Sequence, residues 1–308
     1  MPTGTSDTTA HTPPAPHAPA GEGPRPFRKR RDSFAAFFVA PPLIWQVLFF
    51  LGPLVCLVWM TFWVVKNFRL TQAFVFDNWE RVFNQSFFYD AYIHTFTLAT
   101  ANAVIASLIA FPAAYYLAFR ASSRVRTLAI ILLVTPFFTS YLVRAYSLQI
   151  ILAERGIINY ALGMVGLGPF SMLSNAFGTI LGYLTFTLPL VMLVQLLALL
   201  NVDRTLMEAA ANLRCNPLTT VWKVVLPSAR VGLIMAGTFA FLLSFGDYVS
   251  PLFLGGSKPP TLSILIADQV KSGNHWPRAS VVAVVMVATL VTVLLVMTFI
   301  AYARKPQR

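Results

Sequence analysis

Glu208-Ala209-Ala210-Ala211-Asn212-Leu213-Arg214-Cys215-Asn216-Pro217, followed further on by Leu226-Pro227, is a polar, helix-forming insert between two long apolar runs. Two small alanines after a carboxylate let a helix lie close against a partner surface. A proline at a helix entry keeps the chain from continuing as one rod. An insert of this kind has meaning only in relation to what flanks it, and the flanks are membrane.

Hydrophobic residues make up 57% of the chain and charged residues 11%, too apolar for a soluble domain. They arrive in runs of about 20 or more, the length that crosses a bilayer as helix. Six such runs lie near 38–65, 95–119, 127–152, 176–200, 231–254 and 279–302. Lys and Arg then set the orientation. With the N-terminus inside, the inner segments hold Arg25, Arg28, Lys29, Arg30 and Arg31, then Arg120, Arg124 and Arg126. They also hold Arg204, Arg214, Lys223, Arg230, Arg304, Lys305 and Arg308, which makes 15 of the 23 basic residues. Both termini and the Glu208 loop are therefore expected in the cytoplasm. The net charge of +12 is mostly this bias, so the chain needs no nucleic-acid partner to explain it.

Residues 1–33, rich in Pro, Thr, Ala and Gly and ending in a basic run, read as a disordered tail that marks topology at the anionic inner leaflet. Residues 34–308 read as one transmembrane domain with a cytoplasmic loop at 201–230. Asn78, Trp79 and Phe83 suggest a short interfacial helix in the first outer loop. Leu262 to Val270 suggests another lying at the outer surface. Pro53, Pro112, Pro136 and Pro189 fall within spans, where they kink helices whose freed carbonyls find other donors. No Cys/His cluster has metal spacing. Gly255-Gly256-Ser257-Lys258 lacks the spacing of a phosphate-binding loop. No nucleophile–base arrangement appears, so no catalytic residue, metal or bound cofactor is expected.

A transporter without its own nucleotide site uses an ion gradient or borrows an ATPase. Glu208, Ala209, Ala210, Val224, Leu226 and Pro227 stand in register with the EAA loop of ATP-binding-cassette (ABC) importer permeases, which the chain resembles from about 43 to 302. The family's glycine position holds Arg214, a departure that puts the loop's fine geometry in question, because arginine takes a positive φ only at a cost. Asn216-Pro217 offers an alternative turn. The resemblance implies an all-α membrane protein with six transmembrane helices and the type I ABC importer (MetI-like) permease fold, in a bacterial inner membrane. It implies that Glu208, Ala209, Ala210, Leu213, Arg214, Pro217, Leu226 and Pro227, on a short helix over 205–213 and a second segment over 217–225, couple the chain to ABC ATPase subunits, which use the ATP. A second permease, expected to be a different chain, and an extracytoplasmic solute-binding protein complete the implied assembly.

Two ionisable residues lie inside the runs, Arg144 and Asp247, and charges there point to function by default. Counted from 127 and 231, both fall about 25 Å from the inner face. Equal depth leaves open an Arg144–Asp247 ion pair or a solute pathway formed by Asp247, Tyr248 and Arg144. Phe245 and Tyr248 would then offer ring faces to an ammonium. Thr135-Pro136-Phe137-Phe138-Thr139-Ser140, Leu142-Val143-Arg144-Ala145-Tyr146, Gly246-Asp247-Tyr248-Val249-Ser250-Pro251 and Asn274-His275-Trp276-Pro277 are similar to the spermidine/putrescine permease subgroup, which implies polyamine uptake. Another small solute, such as an amino-acid derivative or an organophosphonate, is the alternative on the same scaffold. An ion-coupled carrier is the alternative from a different class.

Overall fold

In lipid every backbone amide and carbonyl must be paired within the chain, so apolar runs of this length become helices and prolines decide where they deform. The computed structural model describes residues 4, 30–66, 69–256, 258–272 and 275–303. The expected disordered tail and the basic C-terminal residues lie outside them, except Gly4 and the start of a helix at Arg30. Contacts divide the chain into two units, Met1–Pro53 and Leu54–Arg308.

The first unit contains α1 (Arg30–Gln46) and a π turn at Val47–Leu51, and ends within the first turn of α2 (Gly52–Met60), whose remaining residues belong to the second. Trp45 and Phe49 pack ring on ring, 4.1 Å between centroids. Phe37, Ile44, Leu48 and Phe50 are exposed, the condition of a helix whose solvent is lipid.

The second unit continues with a two-stranded hairpin, β1 (Val64–Lys66) and β2 (Arg69–Thr71), and α3 (Asp77–Phe83). The bundle follows: α4 (Ser86–Phe119), α5 (Ser123–Val134), a 3₁₀ turn (Thr135–Phe138), α6 (Tyr141–Leu152), α7 (Ile157–Met164) and α8 (Ala176–Leu200). Next come α9 (Arg204–Asn212), α10 (Pro217–Thr220), a π turn (Val221–Val225) and α11 (Leu226–Phe245). α12 (Val249–Phe253), α13 (Leu262–Lys271) and α14 (Trp276–Tyr302) close it.

Helices α4, α8 and α11 form the centre. Their mid-bundle contact is made by small residues, Ala106, Ala110, Ala236 and Ala240 around Val191. Small side chains let helices approach in a solvent that gives no hydrophobic drive. At Gly232 the approach is closest, since a Cβ there would run into the Ala198 side chain. At the end bearing the Glu208 loop, Leu117, Leu196, Leu199, Val202 and Val225 fill the core. At the opposite end Phe88, Phe241, Phe245, Leu262 and Val281 do so.

Among the described residues, five helical stretches are long and apolar enough to cross a membrane: Phe37–Met60, Ser86–Phe119, Ala176–Leu200, Pro217–Phe245 and Trp276–Tyr302. The pair Ser123–Phe138 and Tyr141–Met164, bent by 95°, has the apolar length of a sixth when its two parts are taken together. The third apolar run is therefore broken rather than a single rod, and Pro136 in the 3₁₀ turn marks the break. Leu226-Pro227 likewise does not end a rod, because Pro217–Phe245 is helical throughout. The helix absorbs the proline by widening first, with the Leu226 amide reaching back five residues to the Val221 carbonyl. Gly52-Pro53 uses the same device, with the Gly52 amide on the Val47 carbonyl. A π turn displaces the carbonyl that a proline ring would otherwise strike. The expected surface helix at 262–270 is instead docked by its first turn, where Leu262, Ser263, Ile264 and Leu265 are buried. Residues 157–164 form a short helix in the connection between α6 and α8.

One buried amide ties the three central helices. Asn102 of α4 donates through Nδ2 to Ser244 Oγ of α11 at 2.7 Å and to Thr187 Oγ1 of α8 at 3.2 Å. Both hydroxyls give their own protons to the carbonyl one turn back, so their lone pairs are what remains to offer. Asn102→Ala should lower stability in detergent by about 1 kcal/mol. Denaturation of the purified chain checks this, and unchanged stability would mean the amide is not a tie.

Candidate functional site

Two places stand out, the polar loop and the bent helix pair. In the loop, Asp203 caps α9 by accepting from the Thr205 amide at 2.9 Å. That backbone hydrogen bond, foremost, holds its carboxyl below the usual carboxylate range. α9 ends on a Schellman closure. The Cys215 amide donates to the Ala210 carbonyl at 3.0 Å and the Arg214 amide to Ala211 at 2.9 Å. Arg214 occupies the left-handed position with φ 53. The chain therefore keeps a glycine's conformation with an arginine in it. Asn216-Pro217 does not replace that turn. It starts the next helix, with Asn216 Oδ1 accepting from the Leu218 amide and Pro217 in the first turn.

Of the predicted loop residues Ala210 is buried, while Glu208, Ala209, Leu213, Arg214, Pro217 and Pro227 are exposed and Leu226 is half-buried. Leu213, Leu218 and Trp222 are 78%, 67% and 66% exposed. The loop is thus anchored by one face and presents apolar side chains beside a carboxylate on the other. The sequence reading had not singled out Leu218 or Trp222, because an apolar residue next to a membrane span looks like more span.

The bent pair makes a cavity of about 430 Å³, lined by Phe137, Thr139, Tyr141, Arg144, Phe186 and Asp247, among others. Arg144 and Asp247 thus share one cavity, as their depth suggested, yet among the described residues they form no ion pair. Each is held by other groups. Asp247 Oδ1 accepts from the Val249 amide at 3.1 Å, and Oδ2 from the Ser250 amide at 2.9 Å and the Tyr141 hydroxyl at 2.7 Å. It therefore caps α12 at the point where the chain turns out of α11. Arg144 Nη1 donates to the Thr185 carbonyl at 3.0 Å, and Nη2 to Thr139 Oγ1 at 2.6 Å and to the Pro136 carbonyl. The expected pair assumed a straight third span, and the break at 139–140 removes that premise.

Tyr248 does not line the cavity. Its hydroxyl accepts from Lys271 Nζ at 3.3 Å, and that ammonium stands 5.6 Å from the ring centroid. Phe245 is fully buried against Phe241, Tyr92 and Phe96 and is unavailable to a solute. The aromatic walls come from Phe137, Tyr141 and Phe186, with Tyr141 and Phe186 edge to face at 4.9 Å. Nothing in the local sequence marked Tyr141, since its partner lies 106 residues away.

A small-residue helical core, a bent helix pair bordering a charged cavity and a polar loop with exposed apolar side chains fit a membrane transport subunit. The chain belongs to the family of binding-protein-dependent transport system inner membrane components, whose model matches residues 103–305. It is 28% identical over 86% of its length to the inner membrane ABC transporter permease protein YdcU of Escherichia coli K12, covering 87% of that protein. The spermidine/putrescine transport system permease protein PotB of the same organism is 26% identical, with 82% of this chain and 92% of PotB aligned. The putative 2-aminoethylphosphonate transport system permease protein PhnU of Salmonella typhi is 25% identical over 79% of this chain and 86% of its own. The fold matches a bacterial ABC transporter for import of the acidic polysaccharide alginate, with TM-score 0.73, 17% identity, and coverage of 88% and 96%. The chain is an ABC importer permease of the MetI-like fold, a multi-pass inner-membrane transport subunit and not an enzyme.

Arg214 gives a test of the loop. A left-handed residue with a Cβ costs about 1–2 kcal/mol, partly offset by the backbone freedom that glycine brings to the unfolded chain. Arg214→Gly should therefore stabilise the loop by up to about 1 kcal/mol, and Arg214→Val should destabilise it. Hydrogen exchange of the α9–α10 amides in both variants reads the difference. Equal protection in all three proteins would contradict a strained Arg214.

Proposed function

We propose that this permease takes up a linear polyamine, spermidine or putrescine, driven by ATP hydrolysed on partner ATPase subunits. The observation that carries the solute class is the alignment with PotB across most of both chains. The cavity supports it. One carboxylate, Asp247, stands among the rings of Phe137, Tyr141 and Phe186. Carboxylate and π contacts of this kind attract ammonium groups while leaving them free to move on. Arg144 in the same cavity, with the PhnU relative, favours organophosphonate as the second reading.

In the proposed assembly residues 34–308 form the permease domain and both termini face the cytoplasm with the loop of 201–230. Glu208, Ala209, Leu213, Arg214 and Pro217 form the surface that receives an ATPase subunit, with the buried Ala210 anchoring it from beneath and Leu226 and Pro227 carrying its motion into α11. The exposed Leu213, Leu218 and Trp222 fit that role, because an apolar side chain outside the lipid gains by burial in a partner's cleft. A second permease chain and an extracytoplasmic solute-binding protein complete the transporter. The binding protein sets most of the solute choice.

Vesicles carrying the whole assembly should accumulate labelled spermidine only when ATP is supplied. Accumulation of 2-aminoethylphosphonate without spermidine would overturn the polyamine reading and favour the second one.

A further inference from the structure

We infer that Arg144 is a positioning residue that fastens the bent helix pair to α8 at its internal proline and so fixes one wall of the cavity. Proline chemistry carries this inference. Pro189 lies inside α8 and has no amide hydrogen. The carbonyl it leaves without its helical partner is the one four residues back, Thr185. That carbonyl receives Arg144 Nη1 at 3.0 Å. The other nitrogen, Nη2, donates to the Pro136 carbonyl and Thr139 Oγ1, both at the 95° break. One guanidinium therefore joins the carbonyl that Pro189 frees on α8 to the 3₁₀ turn at the break. Its charge also sits at the carbonyl end of α5 and its 3₁₀ turn, where a cation is favoured.

The first turn of α6 makes a second attachment. Tyr141, three residues before Arg144, donates to Asp247 Oδ2 at 2.7 Å and lies 2.5 Å from Ser250 Oγ. One anchor holds α6 to α8 and the other holds it to α12. Three of the five N–H donors of Arg144 are occupied in this way, because a fork of donors reaches several carbonyls that a lysine ammonium cannot match. The residue that looked like a solute contact is, in this account, chiefly part of the frame around the solute.

The proposal separates stability from position. In a chain carrying Cys56→Ser and Cys215→Ser, nitroxides at Val143→Cys and Leu197→Cys report the separation of α6 and α8. Arg144→Gln should broaden that distance distribution and lower the melting temperature by about 3–6 °C. Arg144→Lys should rescue only part of either. Adding Pro189→Ala restores an amide to the Thr185 carbonyl. The double variant should regain most of the melting temperature yet keep the broad distribution, since the tether is still missing. An unchanged distribution in Arg144→Gln would overturn the positioning role. Strictly additive losses in the double variant would overturn the link to Pro189.

Discussion

A backbone carbonyl without a donor is expensive where no water can reach it, and much of this structure follows from how such carbonyls are served. Prolines inside spans create the problem repeatedly. The helix widens to a π turn ahead of Pro53 and Pro227. The carbonyl stranded by Pro189 takes a side chain from another helix, Arg144. Where the chain leaves α11, Asp247 gathers the amides of α12. Both intramembrane charges are thereby spent first on backbone, and the cavity between them is a consequence of how those defects are closed.

Much of the plan was legible in sequence because length and apolarity are strong signals in a bilayer. The long runs, the small-residue loop and its turn residues each carry their physics locally. Arg214 is the clearest case: the glycine position and the cost of filling it were readable, and the structure pays that cost at φ 53 instead of shifting the turn to Asn216-Pro217. What escaped was non-local. Hydropathy measures how apolar residues 127–152 are, and has no term for a 95° bend within them. Equal depth suggested that Arg144 and Asp247 meet, whereas their partners are carbonyls, amides and a tyrosine from other helices. Tyr248 and Phe245 had the right chemistry for a cation and the wrong surroundings.

Helix α11 runs from the loop to the cavity. Its first residues belong to the loop segment and its last lead into Gly246 and Asp247 at the cavity. Val225 and Ala229 pack at the loop end, and Phe241 and Phe245 at the other. A continuous helix with a small-residue waist transmits a push or rotation along its length better than two segments hinged at Pro227 would. In the proposed assembly the unbroken helix would serve coupling better than the predicted break.

The central claim is that the Glu208–Pro227 surface receives an ATP-hydrolysing partner from the cytoplasm. Cys215, exposed between α9 and α10, is a natural probe. In membranes holding the assembled transporter with Cys56→Ser, a photoactivatable maleimide on Cys215 should cross-link the chain to the ATPase subunit. An impermeant maleimide should reach Cys215 in inside-out vesicles and not in right-side-out ones. Labelling from the opposite side, with no ATPase adduct, would contradict the account.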